Sequence, residues 1–138
     1  MPDQSEDELL IQALGALAGQ GRRGAMFTAK RLKKNVGELD LVLPLPFAAA
    51  LERVRRALAE AGGGNSPWPV ESGTDRAALR VMAGGGFGGL NPVLVTAVLS
   101  AQEAHGTGVR VRAAAKEGLI KQRAGEKTAE HIGRLLGQ

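Results

Sequence analysis

Cysteine and tyrosine are absent from this chain of 138 residues, and its aromatic side chains amount to three Phe and one Trp. The absence of cysteine excludes disulfides, thiolate nucleophiles and cysteine-ligated metal sites. The longest clearly apolar run, Pro92 to Leu99, is too short to span a bilayer. The first eight residues are acidic, whereas a secretory signal is basic and then apolar. We therefore expect a cytoplasmic protein with no membrane segment.

Catalytic and metal-binding motifs are also missing. The two histidines, His105 and His131, have neither H-x-x-x-H nor H-E-x-x-H spacing, and G-x-S-x-G is absent. Gly84 to Gly89 formally matches G-x-G-x-x-G, but residues 93–95 predict a strand where a dinucleotide site requires a helix. We favour a hairpin bend there, with a backbone nest for an anion as the alternative. We expect no cofactor and no metal ion.

The C-terminal stretch carries the clearest pattern in the chain. Val109 to Arg112 alternates apolar and basic residues, which predicts a strand with one buried face. From about Gly118 the spacing of apolar residues changes to that of a helix. The predicted helical stripe consists of Ile120, Ala124, Thr128, Ile132, Leu135 and Leu136.

The start of this helix has two interpretations. The favoured one places it near Ala114, with Glu117 in the first turn, where an acid suits the helix dipole. The other places it at Leu119 with Gly118 as the cap, where a bound phosphate or carboxylate completes the helix end. In that case the anion would also contact the neighbouring basic side chains Lys116, Lys121 and Arg123.

Two segments precede the regular part of the chain. Ser5 and Glu8 form a capping-box pattern, which predicts a short N-terminal helix. Arg22 to Lys34 contains six basic residues and no acid. Its pattern fits a strand, a helix or a mobile arm, and periodicity does not decide among them.

From Gly37 onward, strands and helices follow one another clearly. Alternation over residues 37–43 predicts a strand, and Pro46 precedes a helical stripe from Phe47 to Ala61. Residues 62–74 predict a loop, because prolines flank the only tryptophan, Trp68. For Trp68 we favour a cap over one end of the core, with an exposed contact site as the alternative. Three strands are predicted next, at 76–81, 93–99 and 109–113.

The order strand, helix, three strands, helix predicts the fold class. It indicates a two-layer α+β domain with an antiparallel sheet and both helices packed on one face. We assign this core to residues 37–138, and an N-terminal helical extension with a basic arm to residues 1–36. The order resembles the helix-over-curved-sheet architecture of START-like lipid- and ligand-binding domains and of TATA-binding-protein-like halves. The resemblance is one of element order and transfers no functional residue.

Basic residues form the most suggestive cluster. The net charge is +4, but the first eight residues hold four acids and no base, so the remainder carries +8. Strict alternation places four arginines on the sheet face opposite the helices. We favour a solvated face, partly paired with acids such as Glu38 and Asp40. Alternatively the face contacts an anion or a nucleic-acid backbone, with candidate residues Arg76, Arg80, Arg110 and Arg112, together with Lys116, Lys121 and Arg123.

Three functional hypotheses follow. The leading one is a non-enzymatic binding domain, for a small apolar ligand or for a dimer or partner contact. The second is an anion or nucleic-acid backbone binder that uses the basic sheet face; no aromatic residue falls on that predicted face, so base stacking is not expected. The third is an enzyme whose site is assembled across the fold without a motif. Phosphate binding weakens steeply with salt, which separates the second hypothesis from the first.

Overall fold

The computed structural model describes residues 5–18, 33–63, 65–85, 91–102, 106–117 and 123–137. Within these ranges the chain forms three helices and five strands. In order they are α1 (Glu6–Ala18), β1 (Lys33–Leu43), α2 (Phe47–Ala61), β2 (Trp68–Glu71), β3 (Arg76–Gly85), β4 (Asn91–Ala101), β5 (Thr107–Glu117) and α3 (Ala124–Leu135).

The strands form one sheet in the order β1-β5-β4-β3-β2, and all neighbours are antiparallel. Strands β3, β4 and β5 pair in sequence, as short connections favour. β1 pairs with β5, in a register that places Leu39 opposite Val111. β1 and β2 are the two edges of the sheet. The predicted α+β class with an antiparallel sheet is confirmed.

Helices α2 and α3 pack on the same face of the sheet, which we call the inner face. The alternating apolar residues of β3, β4 and β5 point to it and are almost fully buried. The helices contribute Ala50, Val54, Leu58 and Ile132 to the same cluster, and Leu136 joins it directly after α3. Each of the larger side chains stabilises the fold by about 1.5–3 kcal/mol through burial. This cluster is the main core.

Helix α1 lies on the opposite face of the sheet, the outer face. Its predicted capping box is present: the Glu8 N–H donates to Ser5 Oγ at 3.2 Å, and the Ser5 N–H donates to Glu8 Oε2 at 3.4 Å. Leu10 is fully buried against Leu94 and Ala114 in a second, smaller apolar cluster. The N-terminal helical extension therefore covers part of the face that carries the arginines.

Both predicted starts of the C-terminal helix are wrong. Ala114 lies within β5, whose alternation continues because Ala113 and Ala115 are buried on the inner face. Arg123 has a left-handed backbone with φ of 55°, and the helix begins directly after it at Ala124. A helix running on from Leu119 would have passed through Arg123. Gly118, Leu119, Ile120 and Lys121 lie outside the described residues.

The loop predicted around Trp68 is also partly wrong. Trp68–Glu71 forms β2 and pairs with β3, with a shift of register between Pro69 and Glu71. An edge strand tolerates proline, because the backbone groups on the outer side of such a strand face no neighbouring strand and need no N–H for pairing. β1 likewise begins at Lys33 rather than Gly37, so the end of the basic segment belongs to the sheet. Residues 22–32 lie outside the described residues.

Candidate functional site

An open groove of about 530 Å3 runs between α2 and the hairpin formed by β2 and β3. We call it the hairpin groove. Its apolar walls come from Leu51 and Ala59 of α2, and from Pro67, Pro69, Ala77 and Leu79 of the hairpin and the segment before it. The lining is completed by Arg55, Arg56, Ser66, Glu71, Ser72 and Gly73. The site thus combines an apolar surface with charged groups.

The local sequence explains why this groove exists. In α2 the buried residues of the main core are Ala50, Val54, Ala57 and Leu58, and three of these follow one another at i,i+4 spacing. The positions one residue later, Leu51, Arg55 and Ala59, follow one another at i,i+4 spacing and therefore share the neighbouring flank of the helix, which faces the hairpin. On the other side, the turn from β2 to β3 depends on Gly73, where an added Cβ would lie 2.8 Å from the Arg76 carbonyl oxygen. The groove is consequently built on regular elements.

One cation at the groove has no carboxylate partner among the described residues. Arg56 Nε lies 3.2 Å from Glu52 Oε1, and Arg76 Nε lies 3.2 Å from Glu71 Oε1. Arg55 is exposed and forms neither an ion pair nor a side-chain hydrogen bond within the ranges that the structure describes. Its guanidinium is therefore available to an anionic group held in the groove.

A second open groove, of about 500 Å3, lies between the edge strand β1 and α3. At its end the Glu126 N–H donates to Asn35 Oδ1 at 3.0 Å, so a side chain of β1 caps the helix. Arg123 is ion-paired with Glu126, and this hydrogen bond lowers the pKa of Glu126. The N-terminal end of α3 thus already has an amide oxygen and an arginine partner from the chain itself.

Two residues of that predicted anion site, Lys116 and Arg123, lie apart in the structure. Lys116 lies on the outer face, only 7% exposed, with its Nζ 3.6 Å from Asp7 Oδ1. Arg123 precedes α3, which packs on the inner face. Lys121 lies outside the described residues. Lys116 and Arg123 therefore do not share one site, and the part of the prediction that concerns Gly118 and Lys121 falls on residues that the structure does not describe.

The four arginines do share the outer face, as alternation predicts. The register places Arg80 and Arg112 on either side of Thr96, and Arg110 next to Asp40. Carboxylates accompany three of them: Arg110 Nε lies 2.8 Å from Asp40 Oδ1, Arg112 contacts both Glu38 and Glu6, and Arg76 contacts Glu71. Arg80 Nε donates to Thr96 Oγ1 at 3.0 Å. The face is basic in sequence and largely paired in structure.

Part of that pairing comes from α1, which the sequence did not place on this face. Glu6 accepts hydrogen bonds from Arg112 Nε at 3.0 Å and from Lys34 Nζ at 2.9 Å. Burial raises the pKa of Glu6, but the hydrogen bonds from Arg112 and Lys34 outweigh it, so the net direction is down. The hydrogen bond from Lys34 lowers the pKa of Asp7 as well. Both carboxylates are therefore charged at neutral pH.

The described parts of the chain hold neither a cluster of metal-ligating side chains nor a helix suited to crossing a membrane. These residues contain no group of three or more His, Asp or Glu side chains placed to hold a metal ion. His131 is exposed on α3, and His105 lies outside the described ranges. Of the helices in those ranges, none combines the length and the apolar character that crossing a bilayer requires.

No protein-family model matches the chain, and no curated protein matches it by sequence. Solved structures give weak likenesses. The chain is 12% identical to Ara h 8.0201, with a TM-score of 0.36, over 76% of this chain and 97% of that one. For the Mll3558 protein from Rhizobium loti the values are 12%, 0.41, 76% and 96%. For the Zhui aromatase/cyclase from Streptomyces sp. R1128 they are 11%, 0.32, 75% and 85%. At these TM-scores we transfer nothing from them to this chain.

Proposed function

We propose that this protein binds a small, elongated carboxylic acid in the hairpin groove. The observation that carries the proposal is the position of Arg55, a cation without a described partner, beside the apolar walls formed by Leu51, Pro69 and Leu79. The volume of the hairpin groove, about 530 Å3, lies within the range typical of small-molecule sites. A ligand with an apolar tail along the walls and a carboxylate at Arg55 would match both the apolar surface and the cation of the groove.

The two parts contribute differently to binding. Each methylene removed from water stabilises the complex by about 0.8 kcal/mol, so the tail supplies most of the affinity. An exposed ion pair is worth only about 0.2–1 kcal/mol, although the arginine fork can hold both oxygens of a carboxylate. Arg55 therefore selects the head group and fixes the orientation of the ligand, while Leu51 and Leu79 retain it.

Isothermal titration calorimetry with octanoate and 1-octanol tests the proposal, because the two ligands share a tail and differ in charge. We expect Arg55→Gln to weaken octanoate binding by about two- to fivefold and to leave octanol binding unchanged. Arg53→Gln is the matched control, since Arg53 is exposed on α2 but does not line this groove. Ala59→Trp should fill the groove and remove binding of both ligands.

Two results would reject this function. One is the absence of saturable octanoate binding to the wild-type chain at millimolar concentration. The other is equal loss of octanoate affinity in the Arg55→Gln and Arg53→Gln variants, which would mean that charge on α2, and not the groove, determines uptake. Binding of octanoate to a folded Ala59→Trp variant would place the ligand elsewhere.

The other hypotheses stay predictions. A dimer or partner contact is supported by two exposed valines on the edge strands, Val42 (57% exposed) and Val70 (40% exposed). The anion or nucleic-acid hypothesis is weakened by the chain's own carboxylates, which contact Arg76, Arg110 and Arg112. Substituting Gln for all four arginines of the outer face should lower retention on a heparin column if that hypothesis is right.

A further inference from the structure

We propose that the outer face of the sheet is a docking surface for an acidic amphipathic helix of a partner protein, and that α1 occupies this surface as an internal substitute. The proposal concerns the face opposite the hairpin groove and does not depend on the proposed function. It rests on three observations: the cations beneath α1, the apolar strip between the strands, and the way in which α1 is attached.

The cations form a compact group that recognises two adjacent carboxylates. Lys34 Nζ lies 2.9 Å from Glu6 Oε1 and 3.0 Å from Asp7 Oδ1. Arg112 adds a second contact to Glu6, and Lys116 a second contact to Asp7. Glu6 is only 13% exposed, so its charge is held in a partly dry environment where pairing matters more than at an open surface. Glu6 and Asp7 thus each bridge two cations.

The apolar strip lies beside these cations and receives a leucine. The register aligns Val36, Ala114, Leu94 and Met82 in one row across four strands. Leu10 follows Glu6 by four residues, so both point from the same side of α1, and Leu10 is fully buried against this row. A nucleic-acid backbone or a free anion would satisfy the cations and leave the row in water. An amphipathic helix satisfies both.

Helix α1 is held to the outer face in the way that a separate peptide ligand would be held. None of its described side chains, those of residues 6–13, belongs to the main core, which residues of α2, α3 and the sheet form. A helix of 13 residues is marginal in water on its own, so its formation depends on docking. Because α1 belongs to the same chain as β1, it has a high effective concentration at the outer face. A partner helix must therefore displace α1 or meet a chain in which α1 is released.

The test uses the full-length chain with Glu6→Lys and Asp7→Lys, which should repel α1 from Lys34, Arg112 and Lys116. The probe is a synthetic peptide of residues 1–18 with the wild-type sequence. Trp68 is the only tryptophan, the peptide has none, and Trp68 packs against the cluster that contains Leu10. Its fluorescence therefore reports occupation of the outer face without a label.

We expect the peptide to bind this variant at least about tenfold more tightly than it binds the wild-type chain, where the tethered helix competes. A matched peptide with Glu6→Gln and Asp7→Asn should bind at least about tenfold more weakly, and added salt should weaken the wild-type peptide. Equal binding of the two peptides, or no change in Trp68 emission with a folded variant, would overturn the proposal. So would tighter binding of heparin or of anionic lipid vesicles than of the peptide.

If the double substitution prevents cooperative unfolding, the wild-type chain carries the test. A millimolar excess of unlabelled peptide over the 15N-labelled chain must then displace α1. The amide resonances of α1 should move toward their unbound positions, while those of α3 stay unchanged. Unmoved α1 resonances under these conditions would show that α1 is a fixed part of the fold and would overturn the docking surface.

Discussion

Asn35 illustrates how one side chain determines where a helix begins. Its Oδ1 accepts the N–H of Glu126 at 3.0 Å, although the two residues are 91 positions apart in the chain. Arg123, the residue directly before α3, provides no side-chain cap. The sequence around Gly118 therefore could not reveal the start of the helix, because the group that fixes it comes from another element.

We predict that Asn35→Ala lowers the free energy of unfolding by about 1 kcal/mol, because it leaves a helix N–H without its acceptor. Asn35→Asp keeps an oxygen acceptor near the positive end of the helix and should cost little. Urea unfolding of both variants measures the difference. An Ala variant as stable as the wild type would show that Asn35 is dispensable as a cap.

The arginines show what alternation can and cannot predict. It correctly predicted that Arg76, Arg80, Arg110 and Arg112 share one face, since period 2 fixes the side of the sheet. It also suggested Asp40 as a partner, which lies opposite Arg110 on the neighbouring strand. It could not predict Glu6, because that contact depends on where a separate helix docks.

At the scale of elements, α3 is the helix whose spacing was most informative. Of the predicted stripe, Ala124, Ile132 and Leu136 are buried in the main core. The spacing gave the buried side but not the length, because residues 113–117 continue β5. The prolines on either side of Trp68 were similarly ambiguous between a loop and a strand, since an edge strand tolerates proline whereas a central strand excludes it.

Ile132→Ala should lower the free energy of unfolding by about 2–5 kcal/mol, because Ile132 is fully buried and its truncation removes apolar contacts and leaves a cavity in the main core. His131→Ala, one residue earlier and exposed, is the control and should change it by less than about 0.5 kcal/mol. Thermal and urea unfolding give both values. Similar losses in the two variants would contradict the assignment of the buried face.

Helix α1 should respond to acid before the rest of the fold. The pKa values of Glu6 and Asp7 are both lowered in the folded chain. At Glu6, burial raises the pKa, but the hydrogen bonds from Arg112 and Lys34 outweigh it. At Asp7, the hydrogen bond from Lys34 is the main cause. Their contribution to docking is therefore complete above the ordinary carboxylate range of about pH 4 to 4.5 and is lost as the pH falls through the lower, folded values. The carboxylates that they face raise the pKa values of Lys34 and Arg112, so both groups stay charged throughout.

We predict a red shift of Trp68 emission as the pH falls below about 4, at a pH where the circular dichroism of the sheet is still native. The Glu6→Gln, Asp7→Asn variant lacks the two titrating groups, so its emission should show no such step. A step of the same size in that variant would mean that other carboxylates cause the change.

For the whole molecule, element order and hydrophobic periodicity were sufficient to predict the fold class. The order of strands within the sheet, the pairing of β1 with β5 and the docking of α1 on the outer face required the structure, since they join distant segments. The hairpin groove was also missed. Its sequence signals are the shared flank of Leu51, Arg55 and Ala59 and the prolines near Trp68. Neither signal shows that these two segments lie side by side.

The most direct test of the proposed function is an NMR titration of the 15N-labelled chain with octanoate, which locates the ligand as well as detecting it. We predict saturable amide shifts at Leu51, Arg55 and Ala59 and along residues 67–79, retained in Arg53→Gln and reduced in Arg55→Gln. Shifts confined to the groove between β1 and α3, shifts on the outer face, or no saturable shifts at millimolar octanoate would contradict a ligand site in the hairpin groove.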